Sequence, residues 1–171
     1  MFSSLPLALP AQATNSGRAS ANASVVINAT PKVVWQAIHE ERFQDPDVAY
    51  SKILQHSTNS DVVEQKFTGI PMLGSVVAVT KQNEVPLKEI NYSLVSSDKF
   101  KAMEGSWALT PSSSGKQTTL SLSSYLDVGV PFSGFFIRNA TQKKISRRIA
   151  NVKKLAEKEQ AQLAARGKED L

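Results

Sequence analysis

Apolar positions along this chain recur with two periods. Ser24–Asn28 (SVVIN) is a short run rich in β-branched residues and reads as a strand. Thr30 and Pro31 then supply a capping residue and a first-turn proline. Val34, Ala37 and Ile38 fall on one face of a helix running to about Glu41, and Phe43–Tyr50, broken by Pro46, reads as loop or a short helical turn. Six extended runs follow, near Lys52–Ser57, Val62–Phe67, Val76–Lys81, Leu87–Ser96, Phe100–Leu109 and Thr118–Val128, with turn residues in every gap. From Gly134 to Leu163 there is no proline. Phe136 or Ile137, Thr141, Ile145, Ile149, Val152, Leu155 or Ala156, and Leu163 form one helical stripe there. The order β–α–β6–α predicts an α+β fold, with a six- to seven-stranded antiparallel sheet joined by sequential hairpins. Its apolar face needs a cover, and only the terminal helix is long enough. A sheet curved around one helix tends to leave a cavity between them.

Period-two alternation assigns the inward faces: Val63, Gln65 and Phe67; Ile90, Tyr92 and Leu94; Met103, Gly105, Trp107 and Leu109; Leu120, Leu122, Ser124, Leu126 and Val128. Glu64, Lys66, Glu104 and Asp127 fall on the opposite, solvent-facing side, so no ionised group is expected on the inward faces. Gln65, Tyr92, Ser124 and Thr141 interrupt the apolar faces, which costs free energy unless they are bonded. They either satisfy one another and the backbone, or line a cavity with Trp107 and Phe136 and meet the polar part of a ligand.

Composition narrows the chemistry. The 171 residues include no Cys and only two histidines, His39 and His56. That excludes disulfides, thiolate metal sites and Cys nucleophiles, and no metal or cofactor is expected. No apolar run approaches a membrane span. The net charge of +5 is uneven: residues 138–171 carry ten Lys/Arg against four acids. Charges opposite an apolar stripe usually keep a helix soluble; here Lys143, Lys144, Arg147, Arg148, Lys154 and Lys158 could also approach anionic lipid headgroups. Without interleaved aromatics or a reading motif, nucleic acid is not an expected partner. Residues 1–23 read as a disordered leader and 164–171 as a charged tail, leaving a domain at 24–163. The expected state is a cytoplasmic monomer, or an exported one if Ala11-Gln12-Ala13 marks a truncated signal peptide.

Three segments carry a family resemblance: Val25-Val26-Ile27-Asn28-Ala29-Thr30-Pro31-Lys32-Val33-Val34-Trp35, Gly105-Ser106-Trp107-Ala108-Leu109-Thr110-Pro111, and Asp127-Val128-Gly129-Val130-Pro131 leading into the long helix. Over about residues 24–160 the chain resembles the START-like or SRPBCC superfamily, the polyketide cyclase/dehydrase and coenzyme-Q-binding group. The resemblance implies a helix-grip fold with a deep cavity for a hydrophobic or amphipathic ligand such as a lipid, polyprenyl quinone or polyketide. It carries over no catalytic residue, since members include both enzymes and pure binders.

The hairpin parity places the turns after Phe67, Ser96 and Val128 at one end of the sheet. Two of these are unusually apolar, Gly69–Gly74 and Val128–Phe136. Ile70, Met72, Leu73, Phe132 and Phe135 are therefore expected either to rim a pocket or to fold over the core as a cap. The expectation is a noncatalytic carrier of a hydrophobic small molecule. The alternatives are a cyclase, dehydratase or hydrolase using the same cavity, and membrane or protein interaction through the basic helix.

Overall fold

The computed structural model describes residues 18–131 and 133–169. Strands β1 (Arg18–Ile27), β2 (Val48–Ser57), β3 (Ser60–Ile70), β4 (Gly74–Val85), β5 (Glu89–Ser97), β6 (Ala102–Pro111) and β7 (Thr118–Asp127) join helices α1 (Pro31–Gln44) and α2 (Gly134–Glu169). The strands form one seven-stranded antiparallel sheet in the order β1-β7-β6-β5-β4-β3-β2. Consecutive strands from β2 to β7 are neighbours, as short turns require, and β1 closes the far edge against β7. The expected α+β architecture is the one observed.

Several boundaries need correction: β2 begins at Val48, inside the segment read as loop, β4 runs on to Val85, and three further shifts bear on the domain's ends and on α1. β1 begins at Arg18, not Ser24, so residues 18–23 are not part of a disordered leader; residues 1–17 lie outside the described set. Small polar residues conceal this strand because its inward side needs only Ala19 and Ala21, both buried. Its stability comes from a full ladder with β7, from Arg18 opposite Asp127 to Ile27 opposite Thr118. α1 runs three residues past Glu41, to Gln44. It stops at Asp45, which is extended (φ −67°, ψ 114°) as the residue before Pro46 must be. α2 continues through the expected tail to Glu169; at about 1.5 Å per residue its 36 residues span roughly 54 Å.

The inward faces follow the alternation read from the sequence. Val63, Gln65, Phe67, Ile90, Trp107, Leu109, Leu120 and Leu122 are all buried. β2 is mostly exposed and carries two register shifts, a common way to blunt a sheet edge. On α2 the buried stripe resolves to Ile137, Thr141, Ile145, Ile149, Val152 and Ala156, while Leu163 is exposed. The main core lies where the second half of this stripe meets β1, β7 and α1, through Ile27, Val34, Leu120, Leu122, Ile149 and Val152. Each fully buried aliphatic side chain there contributes about 1.5–3 kcal/mol. A second cluster holds Phe67, Val76, Phe100, Val128 and Ile137 near the hairpin end.

Candidate functional site

Between the two clusters the sheet and α2 stand apart. The cavity there has a volume of about 140 Å³. Gln65, Tyr92, Trp107, Ser124 and Thr141 all line it, brought together from β3, β5, β6, β7 and α2. Ile90, Phe100, Leu126, Ile137 and Ile145 supply apolar wall. Phe136, also expected inside, does not: the helical phase favours Ile137 and leaves Phe136 61% exposed. At the hairpin end Gly69, Ile70 and Pro71 line the space, together with Asp47 and Val48 after α1.

The other expected rim residues lie elsewhere. Met72, at positive φ, points outward and is 63% exposed; Phe135 is 64% exposed beside Phe136. Leu73 tucks into the second core cluster, and Phe132 lies outside the described residues. At this end the cavity is thus bounded by the start of the β3–β4 turn and the α1–β2 loop, not by Met72, Leu73 or Phe135. Gly105 lies opposite Tyr92 on the neighbouring strand. A Cβ there would overlap the Ser123 carbonyl oxygen and the Tyr92 hydroxyl, so glycine lets the Tyr92 ring lie across β6. The Tyr92 hydroxyl donates to the Ser123 carbonyl at 3.3 Å, and burial pushes its pKa up.

The cavity nevertheless holds charge, supplied by α1, the loop after it and α2 rather than by the strand faces. Arg42, Asp45, Asp47, Lys144 and Arg148 all line the cavity. Glu41 is only 1% exposed, and Arg148 grips it with Nε at 3.1 Å from both carboxylate oxygens and Nη2 at 2.8 Å from Oε2. Asp45 lies 3.4 Å from Lys144 Nζ and 3.6 Å from Arg148 Nε. Arg147 pairs with Asp47 and Asp45. Arg42 reaches Asp61 at 3.4 Å and Glu84 at 3.7 Å. Asp61 is itself inward-facing, one alternation before Val63.

Burial alone would raise the Asp45 pKa; Lys144, Arg148, the Asp47 N–H and Arg147 together outweigh it and hold the carboxyl low. Burial lowers the Lys144 pKa, assisted by Arg148, and the two aspartates offset only part of this. Burial also opposes the charge on Arg148, but Glu41 and Asp45 more than restore it, so this guanidinium stays ionised. Lys144 Nζ and Thr80 Oγ1 are both buried on the cavity wall without a hydrogen-bond partner among the described residues. Lys144 Nζ also lies 4.8 Å from the centroid of the Phe67 ring, and the Arg148 guanidinium stacks 5.1 Å from that of Trp107.

Lys144, Arg147 and Arg148 are thus engaged with acids of α1 and its following loop, and are not a free basic face. A signal for this was present: Lys144 and Arg148 follow Thr141 and Ile145 by three residues, within the helical spacing of the buried stripe. The histidines are peripheral. His56 is largely exposed and bonds Asp61 at 2.6 Å; His39 bridges the Trp35 carbonyl and Glu84, each at 2.9 Å.

A family profile described as polyketide cyclase / dehydrase and lipid transport matches residues 18–157. No curated protein matches the chain. Among solved structures, a protein from Thermus thermophilus is similar at 18% identity and TM-score 0.64, covering 85% of this chain and 98% of its own. The Zhui aromatase/cyclase from Streptomyces sp. R1128 is similar at 14% identity and TM-score 0.62, over 84% of this chain and 94% of its own. A START superfamily protein from Mycobacterium smegmatis is similar at 16% identity and TM-score 0.60, over 84% and 98%. At these identities the structural likeness establishes the fold. No helix among the described residues is long and apolar enough to cross a membrane.

Proposed function

The chain belongs to the polyketide cyclase/dehydrase and lipid transport family, and on that premise we propose that it binds and carries a hydrophobic or amphipathic small molecule in the cavity under α2. The observation that carries this reading is the cavity's mixed wall. Apolar side chains supply most of it, and a few polar groups converge on one space, the usual make-up of a small-molecule site. The ligand's body lies against Ile90, Phe100 and Leu126, and its polar part meets Gln65, Tyr92, Ser124 or Thr141. The volume of about 140 Å³ favours a compact ring system over an extended polyprenyl chain in this conformation.

A second reading, cyclase- or dehydratase-type chemistry in the same cavity, is favoured by the buried charges. Lys144, Asp45 and Tyr92 all have shifted pKa values there, as groups in acid–base catalysis often do. Native mass spectrometry of the purified full chain tests the first reading. The expected result is one small molecule retained per chain, extractable into organic solvent and exchangeable for an added polycyclic compound. A chain that carries nothing and takes up no such compound overturns it.

A further inference from the structure

Lys144 is the one amine among the described residues that line the cavity. Arg148 bonds Glu41, Arg147 Nη2 bonds Asp47 and Arg42 Nη1 bonds Asp61, while Arg147 Nε, like Lys144 Nζ, is buried without a hydrogen-bond partner among the described residues. Lys144 Nζ lies 3.4 Å from Asp45 Oδ2 and 3.9 Å from Asp47 Oδ2, but makes no hydrogen bond to either. It lines the cavity beside the Phe67 ring, one helical turn from Arg148. A lysine desolvated against an apolar wall and next to a second cation has a weakened hold on its proton. This is how amine nucleophiles are activated. The groups facing it are Asp45 and Asp47 from the α1–β2 loop, Arg148 from its own helix, and the uncharged Phe67 from β3. The lowered pKa of Lys144 agrees with this geometry.

We propose that Lys144 is a covalent capture site for an aldehyde or ketone admitted to the cavity, which it holds as a reversible Schiff base. The inference rests on the cavity being a small-molecule site. The free-amine form of Lys144, which its burial favours, is the nucleophile. The free amine attacks the carbonyl carbon, forming a C–N bond as the C=O π pair moves to oxygen. That oxygen collects one proton from nitrogen to give a carbinolamine. It leaves as water with the second nitrogen proton, and a neutral C=N remains. The carbonyl compound and Lys144 are the only reactants, water is the only by-product, and no oxidant or reductant takes part.

The test uses the full chain, 2-naphthaldehyde and cyanoborohydride, which reduces an imine to a stable amine that peptide mapping locates. The expected result is one label per chain at Lys144, formed at least about tenfold faster than at the exposed Lys143. Lys144→Arg keeps the positive charge but removes the nucleophile, and should abolish the fast label. Circular dichroism of that variant checks its fold, and mapping of the wild-type chain decides the matter even if the variant misfolds. Labels spread evenly over the surface lysines, or a fast label that survives Lys144→Arg, overturn the proposal. Binding of 2-methylnaphthalene to the wild-type chain without reductant separates the two failures. If the hydrocarbon binds but Lys144 is not labelled, only the covalent step is wrong; if nothing binds, the cavity reading fails as well.

Discussion

The two halves of α2 face the same sheet and meet it differently. From Ile149 to Ala156 the stripe consists of Ile149, Val152 and Ala156, and the helix closes directly onto Ile27, Leu120, Leu122 and Val34. Polar clamps hold this half at its edge: Glu157 accepts from the Asn28 N–H at 2.9 Å, and Gln160 from the Thr30 N–H at 3.1 Å. From Ile137 to Arg148 the stripe is flanked by Lys144 and Arg148, whose partners are the carboxylates of α1 and the loop after it. Here the helix stands off the sheet and a cavity fills the gap. The contrast teaches that the space is built. Long charged side chains, matched to acids on α1, hold open what small aliphatic residues close elsewhere.

The largest effect expected from breaking this contrast is at the charged half. Arg148→Ala leaves Glu41 buried without its partner and should cost about 3–5 kcal/mol in urea melts. Replacing both, as Glu41→Leu with Arg148→Met, should recover most of that loss, because an apolar pair needs no compensation. At the closed half, Leu122→Ala should cost about 2–5 kcal/mol by opening a void in the core, while leaving the affinity for a cavity probe unchanged.

Acid should act on the charged half first. The Asp45 pKa is held below its ordinary value of 3.8 in the folded chain, so the unfolded chain binds the proton more readily. Its contribution is complete above that value and is lost as pH falls through the folded pKa. Asp45→Asn should flatten this part of an acid titration followed by circular dichroism. The smallest effects belong to the exposed loops. Met72→Ser and Phe135→Ser should each change stability by no more than about 0.5 kcal/mol, since neither side chain packs into the fold.

The fold was legible wherever one periodicity served one neighbour. The alternation of Val63, Gln65 and Phe67, and the helical spacing from Thr141 to Ile149, each correspond to burial in the structure. The wall residues Gln65, Tyr92, Trp107 and Ser124 follow from the strand alternation and Thr141 from the helical spacing, as polar or bulky members of apolar faces. The charged half was not legible, because it depends on pairing at a distance. Glu41 and Arg148 are 107 residues apart, and although helical spacing sets each beside its buried stripe, nothing local names one as the partner of the other. β1 before Ser24 was missed for a related reason: alanines suffice where β7 supplies the ladder. Phe135, Phe136 and Met72 misled because their apolar character suggested a rim, while helical phase and a positive φ turn them outward.

The central claim is that the space beneath the first half of α2 takes a hydrophobic ligand. Trp107 lines that space, so a Trp35→Phe variant leaves it as the sole tryptophan reporter. Titration with an uncharged naphthalene fluorophore should give saturable energy transfer from Trp107 at one probe per chain. Ser124→Trp in the Trp35→Phe, Trp107→Phe background, which fills the cavity from β7, should lower probe affinity at least about tenfold, as judged by the probe's own emission. Transfer that never saturates, or a probe that binds the filled variant as tightly as the open one, would contradict the account.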